Sequence, residues 1–185
     1  GRSRAPRPHA RRPGGRAAGP IWSADGKSIL VVVGEEGNAP VVRFDVSTGA
    51  AMRVLSGQQT VQSYSSSADG HALVALISTQ TSIGELVAID PTVPETTAPL
   101  KVIANPNADL FHGLQLSQPE KVIWTSFDGK KIDGWLMKPP NFDQSKKYPF
   151  ILEIHGGPHS AYGNVFTHEF EFLAARGYVV LFPNP

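Results

Sequence analysis

The sequence contains no cysteine. That excludes disulfides, thiolate metal sites and cysteine nucleophiles. No apolar run is long enough to cross a membrane. There is no Gly-x-Ser-x-Gly, so the chain has no nucleophile elbow, the sharp turn that exposes a catalytic serine above a sheet. It has no Gly-x-Gly-x-x-Gly and no phosphate-binding loop either. His112, His159 and His168 show no metal-ligand spacing with carboxylates. The first residues lack both a starting Met and an apolar stretch, so no signal peptide is read there. A longer parent could carry one, which leaves the compartment open between cytoplasmic and periplasmic or secreted.

What is present is a globular composition: 41% hydrophobic residues, 18 Gly and 16 Pro in 185 residues. The net charge of +1 hides an asymmetry. Six of the 17 basic residues are arginines within the first 20 positions, which hold no acid; the other 11 face 16 acidic residues. Residues 1–20 show no apolar periodicity and read as a disordered tail or as sequence foreign to the domain. Arginine clusters attract phosphate, yet no aromatic residue interleaves these to stack a base. No nucleic-acid or membrane partner is therefore expected.

Residues 21–104 repeat. Ser23-Ala-Asp-Gly26 recurs as Ser67-Ala-Asp-Gly70, 44 positions on. Each copy leads into an apolar run, 29–33 and 72–77, and then into a strand ending in an apolar-Asp pair, Phe44-Asp45 and Ile89-Asp90. A further strand pattern follows at 53–55 and 101–103. Asp-Gly suits a tight hairpin because both residues tolerate positive φ. A period near 44 with several short strands per unit points to two propeller blades; a β-sandwich could show the same pattern. Residues 105–119 read as a linker with a short helical turn at 109–114.

Beyond the linker a hairpin is expected over 120–138, turning at Asp128-Gly129. Tyr148-Pro-Phe-Ile-Leu-Glu-Ile-His-Gly-Gly-Pro158 is nearly all apolar until it breaks at the glycines, and so reads as a buried parallel strand at 149–155. Phe166, Phe170, Leu173 and Ala174 share one face of a helix over 165–176, closed by Gly177. Tyr178 to Phe182 is the next strand, completing a β-α-β unit. Residues 179–181 are expected to form an exposed edge in this chain, so self-association is anticipated.

Ser126-Phe-Asp-Gly129, Ile132-Asp-Gly-Trp-Leu-Met-Lys-Pro-Pro140, Tyr148-Pro149, His155-Gly-Gly-Pro158 and Arg176-Gly-Tyr-Val-Val-Leu-Phe-Pro-Asn184 together resemble the prolyl oligopeptidase family of serine peptidases. The likeness is to its acylaminoacyl-peptidase and dipeptidyl-peptidase-like branches. It implies a mixed fold: a partial β-propeller of about two blades over 21–104, then the N-terminal part of an α/β-hydrolase domain over 120–185. It implies short peptide substrates, no metal or organic cofactor, and acyl-enzyme chemistry whose serine, Asp and His all lie outside this chain. The chain alone is thus expected to be inactive, and whether the parent assembles into homo-oligomers stays open. Two rival readings are a carboxylesterase-like hydrolase, which shares the His-Gly-Gly turn, and a non-catalytic propeller module with a degenerate hydrolase domain.

The resemblance assigns Gly157 the oxyanion-hole backbone N–H. His155, Gly156 and Pro158 become structural residues of the same turn, His155 as a hydrogen-bonded anchor and Gly156 as a permissive backbone position. Tyr162 follows the turn and is a candidate substrate-binding residue. Trp124 and Trp135 are expected in the core or at a domain interface. Glu153 stands out as a carboxylate within an otherwise apolar strand.

Overall fold

The computed structural model describes residues 19–94, 100–156 and 160–184. The basic tail lies almost wholly outside these residues, as do Gly157, Pro158 and His159.

Strands β1 (Ile21–Trp22), β2 (Ser28–Val32), β3 (Val41–Asp45) and β4 (Ala51–Leu55) form one antiparallel sheet in sequence order. Strands β5 (Thr60–Ser66), β6 (Leu73–Thr79), β7 (Ser82–Ile89) and β8 (Lys101–Ala104) form a second with the same order. The sequence repeat is reproduced in the turn hydrogen bonds. Ser23 and Ser67 each donate a hydroxyl to the Asp two residues on, at 2.7 and 2.5 Å. Each hydroxyl oxygen also accepts an N–H five residues on, from Ser28 at 2.9 Å and Ala72 at 3.0 Å. Gly26 and Gly70 take the left-handed conformation that closes the turn, with φ of 70° and 77°. Ser126-Phe-Asp-Gly129 repeats this turn outside the 44-residue period: Gly129 has φ 84° and Lys130 N–H donates to Asp128 Oδ1 at 3.2 Å.

Alternate residues of these strands point into one core. Leu30, Val41, Val54, Val61, Tyr64, Leu73, Ala75, Ile77, Val87 and Ile89 are buried between the two sheets. The Tyr64 hydroxyl crosses from β5 to lie 3.0 Å from the Leu30 carbonyl of β2, giving a buried polar atom a partner.

After the short helix α1 (Ala108–His112), strands β9 (Glu120–Thr125), β10 (Lys131–Met137), β11 (Phe150–Leu152) and β12 (Val179–Asn184) make a third, mixed sheet of order β11-β12-β10-β9. β11 and β12 are parallel and the other pairs antiparallel. Helix α2 (His168–Ala175) joins β11 to β12 and packs Phe170 and Ala174 against Trp135, Met137, Val180 and Phe182. Its end is a Schellman motif: Tyr178 N–H reaches Leu173 O at 3.1 Å, Gly177 N–H reaches Ala174 O at 2.9 Å, and Gly177 has φ 89°.

Five expectations need correction. The strand expected over 149–155 is shorter, because Pro183 removes the next donor. Glu153 N–H still bonds Leu181 O at 2.9 Å, but the following parallel ladder bond needs an N–H at residue 183. The strand is also not buried: Phe150, Leu152 and Ile154 are 57%, 49% and 67% exposed. Glu153 is only half-buried, so its charge is not stranded. Finally, 179–181 is no edge, since β12 is hydrogen-bonded on both sides; β11 and β9 are the open edges. The helix starts three residues later than expected because its first candidates bond elsewhere. Val165 N–H goes to Gly163 O at 2.9 Å and Phe166 N–H to Ser78 Oγ at 3.1 Å.

Candidate functional site

Ending the β11–β12 ladder at Pro183 frees residues 154–156 from the sheet at the carboxyl end of β11. In open α/β sheets that end is where ligands bind. The chain returns at residues 160–166, which run beside the loop of residues 33–40 joining β2 to β3.

Tyr162 is held at several points. Its backbone is gripped at both ends by one side chain: Tyr162 N–H donates to Asn184 Oδ1 at 2.7 Å, and Asn184 Nδ2 donates to the Tyr162 carbonyl at 3.0 Å. Its ring meets Phe170 and Phe182 edge-on, each at 5.5 Å, and His155 at 5.3 Å. Burial pushes the Tyr162 phenol above its ordinary value of 10.0, and the carboxylates of Glu153 and Glu169 push the same way.

Tyr162 also lines a cleft of about 440 Å³ whose other wall is the 33–40 loop, with Glu35, Glu36 and Asn38, and whose floor includes Thr60 and Val165. Glu35 is paired with Arg53 at 2.5 Å. Trp135, 2% exposed, stacks on Phe182 at 5.9 Å and presses against Gly37, so it is both a core and an interface residue. Trp124, by contrast, is 37% exposed on the edge strand β9.

His155 and Tyr162 are thus brought together. His155 Nδ1 is buried without a hydrogen-bond partner, and its contact with Tyr162 is through the ring. At Gly156 φ is not left-handed, and among the described residues nothing lies within 4 Å of a Cβ placed there. Gly157 and Pro158 lie outside the described residues. Among the described residues no cluster of three His, Asp or Glu could hold a metal ion, and no helix is long and apolar enough to cross a membrane.

Sequence reasoning missed Asn184, Asn164 and Asn38, which tie this region together. Asn164 donates its backbone N–H to Gly37 O at 2.7 Å and its side-chain Nδ2 to Asn38 Oδ1 at 2.6 Å. A signal was available. The sequence holds two Gly-Asn dipeptides, at 37–38 and 163–164, and these are the segments that touch.

No family model matches the chain. An uncharacterized peptidase of Bacillus subtilis, YuxL, is 31% identical over 172 residues, which is 93% of this chain and 25% of the relative. A probable dipeptidyl-peptidase 5 of Aspergillus terreus is 41% identical over 90 residues, 46% of this chain and 12% of that protein. Among solved structures, the acylaminoacyl peptidase of Pyrococcus horikoshii superposes on 85% of this chain and 23% of its own length, with a TM-score of 0.73 and 25% identity. The chain therefore spans about a quarter or less of the proteins it matches.

Proposed function

The chain belongs to the prolyl oligopeptidase family of peptidases, and we propose that it forms the oxyanion side and the entrance of a serine-peptidase site. The nucleophile, acid and base would come from the length of its relatives that it does not span. On this reading the first two sheets are adjacent propeller blades, and the third is the start of an α/β-hydrolase sheet.

The observation that carries the reading is the parallel β11–β12 pair, released at Pro183, with His155 just beyond β11 in ring contact with Tyr162, which lines the cleft beside the loop of the first sheet. In acyl transfer a serine hydroxyl adds to the peptide carbonyl while a histidine takes its proton. The carbonyl oxygen becomes an oxyanion. The C–N bond then breaks as the same histidine returns the proton to the leaving amine, and water later hydrolyses the acyl-enzyme. A backbone N–H fixed before the reaction stabilises the oxyanion without reorganisation, and one such donor supplies about 3–4 kcal/mol. Gly157 is our assignment for that donor and Tyr162 for a wall of the substrate cleft. Short peptides are the substrate class, as the names of the dipeptidyl and acylaminoacyl relatives suggest. The two successive four-stranded meanders before the third sheet favour a peptidase over the carboxylesterase reading, which has no propeller.

The test uses the full-length product of the reading frame that carries this segment. It should be labelled by a fluorophosphonate and should cleave peptide p-nitroanilides. Gly157→Pro, which deletes one N–H, should lower kcat by about 10²–10³. The 185-residue chain alone should do neither. An unlabelled full-length product would refute the peptidase reading.

A further inference from the structure

The contact between the two Gly-Asn dipeptides is built more tightly than a loop contact requires. A Cβ on Gly163 would sit 2.4 Å from the Gly37 carbonyl oxygen, and one on Gly37 would sit 2.4 Å from Trp135 Cη2. Neither approach is possible for a real side chain, so Gly163 meets the Gly37 backbone, and Gly37 the Trp135 ring, at glycine separation. Gly37 has φ 83°, a conformation that also favours glycine.

The 33–40 loop is itself held firmly. Glu35 and Asn38 exchange backbone bonds at 2.9 and 2.8 Å, and Ala39 pairs with β5 through Ala39 N–H to Gln59 O at 3.0 Å and Val61 N–H to Ala39 O at 3.1 Å. The loop therefore transmits the position of the first two sheets. On the far side, Asn184 pins the Tyr162 backbone. One pinned residue would leave the segment free to pivot. Asn164, pinned by Gly37 and Asn38, supplies a second fixed point two residues on, and the Tyr162 ring between them abuts His155.

We propose that Gly37 and Asn38 are positioning residues: through Asn164 they hold the Tyr162 ring, and with it His155, at the mouth of the cleft. This rests on the peptidase reading only for what the cleft does; the positioning is measurable without hydrolysis. The two fail separately, since an unlabelled full-length product would leave the positioning result untouched.

The experiment is NMR on the 185-residue chain, carrying Leu152→Lys and Ile154→Lys to limit self-association through the exposed β11 edge, with Asn38→Ala, Asn38→Asp, Asn164→Ala and Gly37→Ala. Asn38→Ala and Asn164→Ala each remove the same side-chain bond from opposite ends, so either one suffices if the other fails to fold. Each should speed amide exchange at Tyr162 by about tenfold, as expected for one lost bond. Each should also shift the ring resonances of Tyr162 and His155, while the amides of Leu73 and Val87 in the second sheet stay put. Asn38→Asp keeps an acceptor oxygen for Asn164 Nδ2 and should restore the wild-type ring resonances. Gly37→Ala should give the largest shifts. Unchanged Tyr162 and His155 resonances in folded Asn38→Ala or Asn164→Ala, with only the residue 164 amide displaced, would overturn the proposal and leave a simple contact between sheets.

Discussion

Replacing Gly134 by alanine should destabilise the third sheet, although a simple propensity argument expects the reverse. Gly134 lies in β10 opposite Pro183 of β12. It has no left-handed φ, so alanine meets no conformational penalty there and would gain about 0.4–1 kcal/mol by restricting the unfolded chain. Against this, a Cβ at Gly134 would lie 2.7 Å from Pro183 Cα, 3.0 Å from Phe182 O and 3.3 Å from Pro183 N. All three are backbone atoms of a strand held in register against β10, so they cannot swing aside as a side-chain tip would. Overpacking of this kind costs about 1–3 kcal/mol. The steric cost should win, leaving Gly134→Ala less stable by about 1–2 kcal/mol. Urea unfolding followed by tryptophan fluorescence reads this directly, because Trp135 is the next residue and stacks on Phe182. Gly156→Ala is the internal control: it has neither a left-handed φ nor a described neighbour within 4 Å. It should be neutral or stabilising by up to about 1 kcal/mol. A Gly134→Ala chain as stable as wild type would show that β10 and β12 can separate at no cost, and would refute the reasoning.

Two further outcomes are expected. Burial holds the Glu171 carboxyl above its usual 4.5, and its Oε1 is buried without a partner while Oε2 accepts the Ser117 N–H at 3.1 Å. Because the folded value is the higher one, this group makes stability fall as pH rises from about 4.5 through the folded value, with the full penalty above it. Glu171→Gln keeps an acceptor for Ser117 and cannot ionise, so it should raise Tm more at pH 8 than at pH 4; calorimetry giving equal increments at both would contradict this. Phe150 and Leu152 on the open edge strand β11 and Ile154 just beyond it form an exposed apolar row, and the charged residue among them, Glu153, is half-buried and points off that row. Light scattering should find the chain self-associated and Leu152→Lys/Ile154→Lys less so; a monodisperse wild-type monomer would count against the edge argument.

Local chemistry determined much of this protein from sequence alone. The Ser-x-Asp-Gly turns were readable because a hydroxyl, a carboxylate and a glycine at fixed offsets satisfy one turn's backbone within five residues. The apolar run that becomes β6, the strand ending at Ile89 that becomes β7 and the glycine closing α2 were equally legible, since strand pattern and helix ending depend on near neighbours. The likeness of the Gly-Trp-Leu and His-Gly-Gly-Pro segments to a peptidase family also needed only the sequence. Tertiary structure decided what depended on distant partners. Whether β12 was an edge turned on β10, more than 40 residues earlier, pairing across it. How far β11 ran turned on Pro183, which withholds one N–H from a strand some 30 residues upstream. The start of α2 moved because Ser78 claimed the Phe166 N–H across 88 residues. The grip on Tyr162 came from Asn184, Asn164 and Asn38, polar residues that look like ordinary loop composition until the fold brings them within hydrogen-bond reach. Hydrogen bonds between distant segments leave no periodicity in a sequence, and for that reason the cleft emerged only from the assembled sheets.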